Sequence, residues 1–238
     1  MSTATGYSKL GYLSLIKEST AGTALYTTEP IEILSESIVT NWDYQSVSPI
    51  AGHRSANHHS ALNRVGPCEG TIEMYADFES IGHFLNGVFG ENTLTTLTAS
   101  VAFQHDWEST NTLVSYTLDI KMGGEDYITR YFGARIKSVT FSKDDNLYKL
   151  SINVMAQRVF SNARVLVAAS SGTALRLDQT SGLTTSDTLI LLDEPDPSTS
   201  LQELTITTVT DETTLVTATI TASLAVDDIA VIKAQTIL

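Results

Sequence analysis

The chain has 238 residues, 42% hydrophobic and 17% charged, enough for one large all-β domain or two smaller ones with a buried core. Its 27 acidic and 14 basic residues give a formal net charge of −13, with no Lys/Arg cluster, which argues against a protein that wraps DNA by neutralising phosphates. The single cysteine, Cys68, excludes an intrachain disulfide and reads as a small buried hydrophobe.

MSTATGYSKLGYLSL, at the start, carries neither the basic start nor the apolar block of a secretory signal, and no run of about eighteen apolar residues predicts a membrane span. PIEILSESIV (30–39) alternates Ile31, Ile33 and, less strictly, Ile38, and predicts a strand. A polar stretch follows, from about Ser46 to Gly66, with AGHRSANHHS (51–60) at its centre. It predicts a long loop, and loops of that length in compact domains usually bind something or order against a partner. The spacing of His53, His58 and His59 matches no zinc motif, and adjacent histidines on an extended chain point to opposite faces.

DFESIGHFLNGVFG (77–90) breaks the strand pattern. Ile81, Phe84, Leu85, Val88 and Phe89 fall at helical spacing, Asp77 is placed to cap the start, and Gly90 suits the position past the end. Strands resume with SYTLDIKM (115–122), a hairpin turn on Gly123-Gly124, ARIKSVTFS (134–142), a turn at KDDN (143–146), and LYKLSINVMA (147–156).

Every Phe, Tyr and Trp lies at or before Phe160. The composition then turns Thr-rich and acidic, and ARVLVAASSG (163–172) reads as a linker. Beyond it, TALRLDQ, DTLILLD, LQELTITTV, TTLVTATIT and DIAVIKA read as short strands of a small barrel or sandwich with an Ile, Leu and Val core. The predicted organisation is therefore a first domain over 1–165 and a separable all-β domain over 170–238. No GxSxG elbow, P-loop, GxGxxG or HExxH is present, and the carboxylate pairs Asp193/Glu194 and Asp227/Asp228 read as solvated turns. An enzyme is not expected, nor a cofactor or metal.

The first 160 residues resemble the major tail tube proteins of long-tailed, siphovirus-type bacteriophages. The resemblance lies in the order of GYLSLIKESTAGTA (11–24), LSESI (34–38), HRSANHHSALNRVGPCEGTIEM (53–74), the helix segment, FQHDW (103–107), SYTLDIKMGGEDYITRYFGARIKSVTFS (115–142) and LYKLSINVMAQR (147–158). It implies a mainly β fold: a tail-tube β-sandwich with one α-helix and a long loop. It implies a virion protein, assembled in the host bacterial cytoplasm, whose subunits join sheet edges into rings. The stacked rings form the channel for DNA ejection. One tube domain per chain implies six subunits per ring. The implied partners are further copies, other tail proteins (tape measure, tail tip, terminator), and DNA that passes without sequence-specific binding; no membrane is expected.

On this reading Ser46, His53, Arg54, Asn57, His58, His59, Asn63 and Arg64 form an inter-subunit or inter-ring loop. The acidic excess predicts a negative inner wall, with Glu32, Glu36, Glu73, Asp77 and Asp119 as candidates, because a wall that repels phosphate lets the duplex slide. The small C-terminal all-β domain is expected on the outer surface. The alternative is a surface-binding β-module for glycans or host recognition. Sugar rings are usually gripped by aromatic faces, which residues 161–238 lack.

Overall fold

The computed structural model describes residues 11–47, 60–99, 101–121, 127–144, 147–194 and 200–233, of which 42–47, 60–65 and 144 are described in backbone only. In chain order the elements are β1 (Tyr12–Lys17), β2 (Pro30–Ile31), β3 (Ser35–Glu36), β4 (Val39–Val47), β5 (Ser60–Tyr75), α1 (Ile81–Phe89), β6 (Gly90–Thr98), β7 (Ala102–Ser109), β8 (Tyr116–Lys121) and β9 (Tyr127–Asp144). There follow β10 (Leu147–Ala156), β11 (Arg158–Phe160), β12 (Ala163–Arg164), β13 (Ala174–Arg176), β14 (Thr188–Leu192), β15 (Ser200–Val209), β16 (Thr214–Thr217) and β17 (Ile229–Lys233). Among the described residues the protein is mainly β with one helix, as its patterning predicts.

β9 organises the molecule. Its first half pairs with β8, β11 and β17, and its second half with β10, which pairs in turn with β5. A register shift at Asn153/Val154 marks the passage between the halves, where added local twist re-aims the strand. Two layers thereby face each other. Leu13, Leu15, Leu118 and Ile120 from β1 and β8 meet Ile72, Met74, Leu150, Ile152 and Val154 from β5 and β10, and Phe84 of α1 closes the same core. Alternation along β10 is strict: Leu150, Ile152, Val154 and Ala156 are buried while the residues between them are not.

The helix is shorter than its sequence pattern. Ser80, not Asp77, occupies the N-cap and makes no side-chain cap bond; Asp77 contributes only its carbonyl, which accepts from the Ile81 N–H at 3.0 Å. Gly90 ends the helix in the left-handed region at φ 94°, as its position predicts. The predicted 30–39 strand is broken into β2, β3 and the start of β4.

The segment from 163 onward departs from the expected linker. Ala163 and Arg164 pair with β17, and Val165 is fully buried and bridges to Leu177. The C-terminal strands do not build their core from Ile, Leu and Val alone. Leu175, Leu177, Leu189, Leu191, Leu204, Ile206 and Leu215 pack with Tyr12, Phe132 and Phe160 of the first part. The aromatics missing from residues 161–238 are thus supplied by β1, β9 and β11.

Candidate functional site

Two ribbons leave the body of the sandwich. In the first, β4 pairs with β5 from Val39↔Glu69 to Val47↔Ser60, whereas β10 reaches β5 only as far as Cys68. Residues 60–67 therefore form a two-stranded ribbon with β4, and among the described residues β4 has a partner on one side only. Such an open edge presents unpaired N–H and C=O groups to another chain. The expected loop is shorter than 46–66: Ser46 lies opposite Ala61, Asn63 opposite Tyr44 and Arg64 opposite Asp43, all on strands. His53, Arg54, Asn57, His58 and His59 lie outside the described residues.

The second ribbon, β6–β7, is a separate two-stranded sheet that follows α1 directly. Its register places Asn92, Leu94 and Thr96 opposite Trp107, His105 and Phe103, on one face. There Asn92 Nδ2 lies 3.2 Å from His105 Nδ1, and the His105 and Trp107 rings stack at 5.5 Å. The other face carries Glu91, Asp106 and Glu108. Leu94, Leu97, Val101 and Phe103 are exposed. FQHDW alternates ring-bearing side chains with Gln104 and Asp106, a period-2 signal that marks this strand in the sequence.

The acidic candidates have different environments. Glu32 and Asp77 are exposed and, with Glu29 and Glu79, line a cleft of about 640 Å³ floored by Ile31, Ile33 and Met74. Glu36 is half-buried and accepts from the Ile38 N–H at 2.9 Å. Glu73 pairs with Lys149 at 2.9 Å and accepts from Ser35 at 3.0 Å; those hydrogen bonds and the ammonium charge hold its carboxyl below the usual range.

Asp119 is buried within the chain. It is 2% exposed and receives a two-pronged contact from Arg130, Nε to Oδ1 at 2.7 Å and Nη2 to Oδ2 at 2.8 Å. The other side of the guanidinium meets Asp187, Nη1 to Oδ2 at 2.6 Å and Nη2 to Oδ1 at 3.0 Å, and Nη1 also donates to the Gly182 carbonyl. Burial works against the Arg130 charge, but the two carboxylates outweigh it and raise its pKa. Burial also pushes the Asp119 carboxyl up, against the pull of Arg130.

Half of this triad is legible in the sequence. The antiparallel pairing of β8 with β9 sets Lys121 against Ile128 and therefore Asp119 against Arg130, while the predicted turn on Gly123-Gly124 lies outside the described residues. Asp187, from a distant turn, gives no such signal.

A further buried carboxylate, Glu18, gathers four donors. Oε1 accepts from Thr117 Oγ1 and the Gly133 N–H, and Oε2 from Ser115 Oγ and the Gly22 N–H, all within 2.6–3.0 Å. It fixes the turn after β1 onto β8 and β9. Of the carboxylate pairs read as solvated turns, Asp228 is fully buried and accepts from the Ala225 N–H at 2.7 Å. Cys68 is buried beside Thr40, as its sequence setting predicts. Among the described residues no group of three His, Cys, Asp or Glu is placed to hold a metal ion.

No protein-family model matches the chain, and no curated protein matches it. Among solved structures it is similar to a chain of an extracellular contractile injection system, the PVC sheath–tube complex in its extended state. The identity is 14% over 67% of this chain and 97% of that chain, with a TM-score of 0.39. It is also similar to a type six secretion system protein, at 9% identity over 85% of this chain and 98% of that chain, with a TM-score of 0.31. Overlaps this low assign neither a fold nor an activity.

Proposed function

We propose that the protein is a structural subunit of a bacteriophage tail tube that self-assembles into stacked rings around a channel for DNA ejection. The observation that carries this reading is the β4–β5 ribbon, which extends beyond the sandwich with an open edge, in a chain whose motif order resembles tail tube proteins. An open edge of this length is a liability in a monomer and a joint in an assembly. The ring contains six subunits, one tube domain each. The segment between β4 and β5, with His53, Arg54, Asn57, His58 and His59, packs on a neighbouring subunit or ring. Glu32, Glu36, Glu73 and Asp77 are the remaining candidates for a negative inner wall, and residues 170–238 sit outside it. The tape measure, tail tip and terminator proteins are its partners in the virion, after assembly in the host cytoplasm.

Sedimentation at rising protein concentration tests the reading. Growth into large species supports it, and a monomer throughout opposes it.

A further inference from the structure

We infer that residues 170–238 are a clamp on β9, energetically coupled to the tube sandwich rather than a separable passenger. Three independent contacts converge on the same half-strand. Ile128, Arg130 and Phe132 alternate with Thr129 and Tyr131, so they share one face of β9. Ile128 lies opposite Ile232 of β17 and joins the C-terminal core. Arg130 is held between Asp119 of the sandwich and Asp187 of the module. Phe132 is buried in the module's core, and the turn at Gly182 closes over its ring: a Cβ at Gly182 would lie 2.7 Å from Phe132 Cε1.

The opposite face of that half-strand carries Tyr131, which belongs to the sandwich core. The same strand then continues, as its second half, into the layer of β10 and β5, whose ribbon bears the open edge. Opening the module would leave the Arg130 guanidinium facing Asp119 alone and would expose Phe132, Phe160 and Tyr12 together. A local opening of the module therefore costs the sandwich both charge balance and apolar burial, and the two parts open as one unit. The module thereby holds in place the strand on which edge geometry depends.

Amide hydrogen exchange on the full chain tests this without reference to assembly, so its outcome is independent of the tube reading. Leu204→Ala weakens the module from inside, since Leu204 is fully buried and lies opposite Leu189 on β14. A truncation of this kind shifts opening equilibria by about thirtyfold or more. If the parts are coupled, protection of residues 117–120 and 128–132 falls by the same factor as protection of residues 189–191. If protection falls at 189–191 and stays unchanged at 117–120 and 128–132, the module opens alone and the clamp is refuted. Ile206→Val makes the same comparison with a smaller shift, should the larger truncation prevent folding.

Discussion

Arg130 and Asp187 stand 57 positions apart and meet at 2.6 Å, the guanidinium 1% and the carboxylate 0% exposed. Asp187 is itself locked: its Oδ2 accepts from the Thr184 N–H and hydroxyl. A charge this well buried is tolerated only with its partners in place, so removing one partner costs more than removing all. Asp187→Ala is expected to destabilise the protein by about 3–5 kcal/mol, read from the urea midpoint. The triple replacement Asp119→Leu, Arg130→Met, Asp187→Leu should cost less than that single change. A single variant as stable as the parent would contradict the triad's role.

Gly182 sets the turn over Phe132 at φ 96°. Gly182→Ala adds left-handed strain and a contact with the Phe132 ring, for an expected loss of about 1–3 kcal/mol by thermal denaturation. Gly172, also at positive φ but with nothing near its missing side chain, should lose less on the same substitution, because strain acts there without the contact.

Glu18→Gln replaces an acceptor of four hydrogen bonds by a group whose amide nitrogen must face donors. Hydrogen bonds to a charged group contribute about 1.5–3 kcal/mol each, so a loss of at least that size is expected. Exchange at the Gly22 and Gly133 amides, which donate to it, should rise before that of β10.

Tyr116 and Tyr131 have their phenols pushed up from 10.0 to about 12, both by burial first; Tyr116 donates to the His83 carbonyl and Tyr131 to that of Ile38. Each phenol holds its proton more tightly in the folded state than in the unfolded state. The associated stability is complete below pH 10 and is lost as pH rises toward 12. Urea midpoints should fall through that window, and the double variant Tyr116→Phe, Tyr131→Phe should flatten the fall. Tyrosinate absorbance of these two residues that rises before unfolding would contradict their burial.

The legible parts of this fold are those written locally. Period-2 alternation places β8 and β10, a short apolar run places β14, and Gly90 ends the helix where a left-handed residue is needed. What composition obscured was partnership across distance. The loss of aromatics after Phe160 reads as a boundary, yet Phe132 and Phe160 cross it in space to fill the second core. Asp119 reads as an acid for the inner wall although strand register sets it against Arg130, 11 residues away; the third member, Asp187, lies 57 positions from Arg130 and leaves no local signal. The stretch around Ser46 and Arg64 reads as loop because its polar residues carry no apolar alternation; backbone pairing alone makes it strand.

Self-assembly through open strand edges is tested most directly by electron microscopy of the purified full chain. Rings with a central hole are expected, stacking into tubes as concentration rises, with shorter tubes for the His53→Ala, His58→Ala, His59→Ala variant at unchanged thermal stability. A field of single compact particles at every concentration, from protein shown to be folded, would contradict it.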